Sequence, residues 1–82
     1  MLGNQTWWVY AALCRNGAIY VGSAKDVDLR IEQHNAGRGG PYTRNSIPLK
    51  FLWKEPHRCL ESALRRESQI KRWTRRKKTG PH

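Results

Sequence analysis

The chain reads as a small α/β domain of the α+β kind, a three-stranded antiparallel sheet flanked by helices in the order β-β-α-β-α. Three observations predict it. Two β-rich runs, Trp7 to Cys14 and Ala18 to Gly22, flank the turn signal Arg15-Asn16-Gly17. Apolar residues at helical spacing appear twice, at Val27 and Ile31 and again between Leu60 and Ile70. Between those stretches Leu49, Phe51 and Trp53 alternate with Lys50 and Lys54, the period of a strand. With 82 residues the chain can bury one core and no more.

The first pair of strands forms a hairpin. With a three-residue loop and Gly17 in the left-handed region, Cys14 opposes Ala18, Ala12 opposes Tyr20 and Tyr10 opposes Gly22, so Tyr10 and Tyr20 share a face. A two-residue Asn16-Gly17 turn would shift the register by one and separate them; the three-residue loop is favoured. Asp26 then caps a helix from about Val27 to Ala36, which Gly37 stops. Arg38 to Pro48 is rich in glycine and proline and reads as a loop. The third strand turns one face inward. From about Arg58 to Trp73 the pattern is helical, with Leu60, Ala63, Leu64 and Ile70 as the buried stripe. Residues 1–74 are expected to form the domain and residues 75–82 a basic tail.

Sixteen Lys and Arg stand against six Asp and Glu, a formal charge of +10. Such an excess repels itself unless the partner is anionic, and nucleic acid is the leading candidate. Nine of the sixteen cations lie between Arg58 and Lys78, so the charge is concentrated near the C-terminal end. The apolar run Trp7 to Cys14 is too short to span a bilayer and has no basic residue before it, so a cytoplasmic protein without a membrane association is expected. Cys14 and Cys59 lack zinc-site spacing and are expected as buried, reduced thiols.

Several side chains invite chemistry. At 100° per residue Glu67 projects near the centre of the last helix's apolar stripe. An unpaired buried carboxylate costs several kcal/mol, so it must meet a cation, take up a proton or open onto a cleft. An arginine ion pair at the core's edge satisfies this, and so does a metal or acid/base role. Glu61, rotated off the stripe, is expected in solvent. Arg30 and His34, four apart, stack on one edge of the first helix, where a guanidinium could grip a phosphate and an imidazole could move protons. The plainer alternative is a half-exposed Arg and His on a helix flank. Tyr10 and Tyr20 read first as packed aromatics. The Gly37 to Gly40 segment lacks the Gly-Lys-Ser/Thr ending of a phosphate-binding loop. The run Lys71, Arg72, Trp73, Thr74, Arg75, Arg76, Lys77, Lys78 suits backbone binding to nucleic acid, with a solvated tail as the alternative.

Taken together, Trp8-Val9-Tyr10, Tyr20-Val21-Gly22, Asp28-Leu29-Arg30 leading to His34-Asn35-Ala36-Gly37, and Ala63-Leu64-Arg65-Arg66-Glu67 followed by Ile70-Lys71-Arg72-Trp73 resemble the GIY-YIG nuclease superfamily, above all its short free-standing bacterial members. The likeness runs from Trp8 to about Lys78. It implies a three-stranded antiparallel sheet flanked by helices, a divalent metal, Mg2+ or Mn2+, and phosphodiester hydrolysis. Carried over by position, Tyr10 and Tyr20 are the motif tyrosines, Arg30 the family arginine, His34 the helix histidine and Glu67 the metal-binding glutamate. Trp8 replaces the glycine of the first motif and Val21 the isoleucine of the second. An asparagine that some members carry downstream of the glutamate has no counterpart.

On those assignments a metal on Glu67 and the charge of Arg30 would stabilise negative charge on phosphate, while Tyr10 or Tyr20 orients or deprotonates a water, with Tyr10 placed nearest it, Tyr20 orienting and His34 assisting. The resulting expectation is a metal-dependent endonuclease, a monomer acting on single-stranded or branched DNA, chosen by structure rather than by sequence. RNA stays open as substrate. The second reading is a non-catalytic nucleic-acid-binding module, or a nuclease domain targeted by an unlinked partner; competent residue types at all five matched positions favour the first.

Overall fold

The computed structural model describes residues 6–38 and 47–79. Strand β1 (Trp7–Leu13) and strand β2 (Ile19–Ala24) form the hairpin, and β3 (Lys50–His57) pairs antiparallel on the other side of β1, giving the order β2-β1-β3. The register is the one the three-residue loop predicts, with Ala12 opposite Tyr20 and Tyr10 opposite Gly22. The Cys14 amide donates to the Ala18 carbonyl at 2.8 Å, and Gly17 sits at φ 90°, where a side chain would be strained.

As the central strand, β1 is buried on both faces: Val9, Tyr10, Ala11 and Ala12 are all 0% exposed. That is why its sequence is a continuous apolar run rather than an alternating one. Helix α1 (Val27–Gln33) covers one face, where Tyr10, Ala12, Cys14, Ala24, Val27, Ile31 and Leu49 pack together. Helix α2 (Leu60–Lys71) covers the other, over Val9, Ala11, Val21, Trp53, Ala63 and Ile70. Asp26 caps α1 as expected, its side chain accepting from the Leu29 amide at 3.0 Å.

Four local expectations are corrected. Helix α1 ends at Gln33 and the chain continues as a wider π-helical turn over His34–Arg38, with Gly37 at φ 85°. Asn35 ties that turn to the start of β3, its Oδ1 accepting from the Leu49 amide at 2.6 Å. In β3 the alternation is broken by a bulge opposite Ala11 and Ala12, which places Leu49 and Trp53 in the cores of opposite faces and leaves Phe51 exposed. On α2 only Ala63 and Ile70 are buried, whereas Leu60 and Leu64 are exposed. Cys14 is buried but Cys59, which precedes α2 as its N-cap, is exposed. Most of the expected loop, residues 39–46, lies outside the described residues. Among the described residues no helix is long and apolar enough to cross a membrane.

The stretch expected as a tail carries a short helix, α3 (Arg75–Thr79). Thr74 starts it, its Oγ1 accepting from the Lys77 amide at 3.3 Å and its carbonyl from the Lys78 amide at 3.0 Å. The Trp53 indole N–H donates to the Lys78 carbonyl, which docks α3 on the α2 face of the sheet. A chain ending at Trp73 leaves that donor without its partner. We expect it to unfold at lower urea concentration, with a loss of about 1–3 kcal/mol; an unchanged midpoint would show that α3 contributes nothing to the fold.

Candidate active site

Tyr10 and Tyr20 stand on the α1 face of the sheet, with ring centroids 6.0 Å apart. The space they share depends on Gly22. A Cβ there would lie 2.9 Å from Tyr20 Cε2 and 3.1 Å from the Tyr10 hydroxyl oxygen, so the absence of a side chain lets the Tyr10 phenol lie across β2. His34 completes the row, its ring 5.3 Å from that of Tyr20. Although expected on a half-exposed flank, His34 is 2% exposed, because the π-helical turn rolls it inward. Among the described residues neither ring nitrogen has a hydrogen-bond partner. Arg30, one turn earlier, remains exposed, and its guanidinium is close enough to act on both Tyr10 and His34.

This environment sets the protonation states. Burial pushes the Tyr10 phenol well above its ordinary value, and Tyr20 adds to the rise while Arg30 opposes it. At neutral pH Tyr10 is therefore a hydrogen-bond donor rather than a base. Burial, assisted by the charge of Arg30, lowers the pKa of His34, which keeps its imidazole neutral and makes it a weaker base than a free imidazole.

Glu67 approaches from the other face. Its carboxylate accepts from the Ser23 hydroxyl at 2.7 Å and pairs with the Lys71 ammonium at 2.8 Å. The partner is thus a lysine one turn along α2, not the arginine weighed from the sequence. Ser23 follows Gly22 directly in the chain, and β2 is an edge strand. The tyrosine row and the carboxylate are thereby brought to neighbouring residues of one sheet edge, from opposite faces. Glu61 behaves as expected, exposed and paired with Arg65 at 3.3 Å.

A polar clamp fixes α2 against β3. His57 bridges Ser62 Oγ at 2.7 Å and Glu55 Oε2 at 2.8 Å, while Arg66 holds the same Glu55 oxygen at 2.9 Å. Burial pushes the Glu55 carboxyl up, but the hydrogen bonds from Arg66 and His57 and their charges outweigh it and hold the group below the usual range. Arg66 precedes Glu67, so the clamp also sets the rotation at which α2 offers Glu67 to β2.

Of the five expected catalytic residues, Tyr10, Tyr20, Arg30 and His34 gather on one face, and Glu67 lies on the other, held by Ser23 next to Gly22 on the edge strand. The expected nucleic-acid-binding residues are more scattered. Lys71 pairs with Glu67, and Arg72, Arg76 and Lys77 are exposed. Trp73 is half-buried, with the Arg66 guanidinium 5.0 Å and the Lys77 ammonium 4.8 Å from its ring centre. Lys78 is half-buried, and the side chain of Arg75 lies outside the described residues. Sequence reasoning missed Gly22 and Ser23 as site residues. Gly22 was visible in principle, since the predicted register already set it opposite Tyr10; nothing in the sequence pointed Ser23 at Glu67.

Comparison with known proteins finds matches along nearly the whole chain. The model of the GIY-YIG catalytic domain matches residues 6–79. A UPF0213 protein of Staphylococcus aureus is 42% identical over 71 residues, covering 87% of each chain. The UPF0213 protein BH0048 of Bacillus halodurans, solved by NMR in solution, is 37% identical with a TM-score of 0.53, covering 89% of this chain and 78% of its own. The protein EF2693 of E. faecalis, also solved by NMR, is 28% identical with a TM-score of 0.61 over 96% of this chain and 84% of its own.

Gly22→Ala tests the close approach on which the tyrosine row rests. The new methyl must displace both rings, so we expect the variant to fold with a stability loss of about 1–3 kcal/mol and to lose the site's activity. Wild-type stability and activity in Gly22→Ala would show that the two phenols do not need this space.

Proposed function

The chain belongs to the GIY-YIG catalytic domain family, a nuclease superfamily, and from that premise we propose that it is a divalent-metal-dependent endonuclease acting as a monomer in the cytoplasm. Its substrate is DNA, single-stranded or branched, selected by structure. The observation that carries this reading is the grouping of Tyr10, Tyr20, Arg30 and His34 on one face of the sheet, with Glu67 bonded to Ser23 at the next residue of the same edge strand. The charge of +10 supplies attraction to phosphate. Residues 6–79 belong to the catalytic domain itself and carry most of the positive charge, which favours backbone contacts over sequence readout.

The donor set fits a hard divalent ion. Glu67 offers carboxylate oxygens at a partly exposed position and already holds one cation, the Lys71 ammonium, at 2.8 Å. Among the described residues no group of three or more His, Cys, Asp or Glu gathers, so water and substrate phosphate would complete the shell, as magnesium commonly allows. Bound at Glu67, such an ion supplies Lewis-acid stabilisation of charge on the phosphate oxygens.

The chain's own residues divide the remaining work. Arg30, exposed beside the tyrosine row, holds a non-bridging phosphate oxygen and stabilises the charge that grows there in the transition state. Tyr10, kept protonated by its burial, donates a hydrogen bond that orients the attacking water or the phosphate. Tyr20 is the tyrosine left to take the proton of that water, with the His34 ring 5.3 Å from its own. This shifts the base from the Tyr10 of the sequence reading to Tyr20, because burial makes the Tyr10 phenolate costly.

The test is cleavage of labelled single-stranded, duplex and branched DNA and RNA, with magnesium, with manganese and with chelator. Single-stranded or branched DNA should be cut only with metal, and Glu67→Gln should lower the rate by orders of magnitude while binding persists. Cleavage that survives chelator, or a Glu67→Gln enzyme of normal rate, would refute the reading; a strong preference for RNA would overturn its choice of substrate.

A further inference from the structure

Beside the tyrosine row lies a cleft of about 370 Å³ that the hydrolytic reading does not use. Trp8 lines it together with Lys25, Lys54, Asp26 and Asp28. Trp8 lies on the same face of β1 as Tyr10 and two residues before it, a step of roughly 7 Å along a strand. The cleft is therefore about one nucleotide from the place where the phosphate reacts. Trp8 also stands where the family's first motif has glycine, so an aromatic surface is offered where the motif has none.

The chemistry of the lining selects the occupant. Two lysines and two aspartates leave the cleft without net charge, which suits neither a phosphate nor a metal ion. An indole with the Lys54 ammonium 4.4 Å from its centre is a stacking platform for a flat, polarisable ring. Asp28 is exposed and lines the cleft, and Asp26 spends Oδ1 on the Leu29 amide, leaving its second oxygen as a further acceptor. Carboxylates accept from the exocyclic amine of a base and have nothing to offer a carbonyl in the same place.

We propose that this cleft is a nucleobase subsite, which stacks one base of the bound DNA strand on Trp8 and prefers a base carrying an exocyclic amine. The proposal rests on the nuclease reading for its strand and adds a base preference to it. A base on Trp8 moves the Lys54 ammonium aside toward the neighbouring phosphate, where its charge is useful. Selection by structure then operates together with a local preference beside the cleaved bond.

Binding in chelator tests the cleft without depending on cleavage. Fluorescence anisotropy of equal-length homopolymers of deoxycytidine and deoxyuridine compares bases that differ in the amine and acceptor N3 of cytosine against the carbonyl and N3–H of uracil, so that an amine at position 4 is presented by the first alone. Wild type should bind the cytosine strand at least about fivefold more tightly. Asp28→Ala, at an exposed position, should erase most of that ratio, and Trp8→Leu should weaken both strands by about tenfold. Equal affinity of wild type for the two strands, or an undiminished ratio in Asp28→Ala, would overturn the subsite even if the enzyme cleaves DNA. Should Trp8→Leu fail to fold, the two strands and Asp28→Ala decide the matter alone.

Discussion

The structure depends on one close approach: β1 and β2 pair in the register that sets Tyr10 opposite Gly22. A slip by one residue would send Tyr10 to the α2 face and replace its neighbour with a side chain. In the observed register the Tyr10 phenol crosses the backbone of an edge strand, 3.1 Å from where a Cβ would stand. Tyr20, His34 and Arg30 are then placed by the same pairing, since Tyr20 flanks Gly22 on β2 and α1 packs through Val27 and Ile31 onto the face that both tyrosines occupy. An edge strand has a second advantage. Its backbone can be reached from either face, which lets Ser23 receive Glu67 from α2 while its neighbour Gly22 receives Tyr10 from α1's side.

Small size makes the helices' positions the weak point of such a site. Helix α2 buries only Ala63 and Ile70, an apolar contact too slight to fix its rotation to within an ångström. The polar clamp of Glu55, His57, Ser62 and Arg66 supplies that constraint, through hydrogen bonds of 2.7 to 2.9 Å in a partly buried setting. Such bonds to charged groups contribute more than exposed pairs like Arg65 with Glu61. Trp73, flanked by Arg66 and Lys77, and the docking of α3 on Trp53 extend the same support along the C-terminal segment. Cations that the composition offers to nucleic acid thus also serve the fold, and those left exposed, such as Arg72, are the ones available to phosphate.

How much of this could be read beforehand follows from the range of the signals. The hairpin register was legible because Asn16 and Gly17 act locally, and the capped start of α1 was legible in Asp26 for the same reason. Glu67 was conspicuous because helical periodicity places every residue of α2 relative to its neighbours. The bulge in β3 was not legible: Phe51, Leu52 and Trp53 are all apolar, and only pairing with β1 decides which of them turns inward. The burial of His34 was missed because it depends on a widened turn held by Asn35 and Leu49, a contact between distant segments. Leu60 and Leu64 looked like core because periodicity reports a face and not how much of it another element covers. Ser23 was invisible as Glu67's partner, since nothing local to either residue encodes the meeting of β2 with α2.

The central claim is that the β2 edge unites the two halves of one site, and Ser23→Ala addresses it most directly. The substitution removes the hydroxyl that holds Glu67 while leaving every residue placed in the chemistry intact. Single-turnover cleavage of single-stranded DNA by Ser23→Ala should fall by about tenfold or more with folding and DNA affinity retained, because a misplaced carboxylate loses transition-state stabilisation. In a Glu67→Gln background the same change should cost nothing further, since Ser23 acts only through Glu67. A Ser23→Ala enzyme at the full wild-type rate, or one whose loss is undiminished in the Glu67→Gln background, would contradict the account.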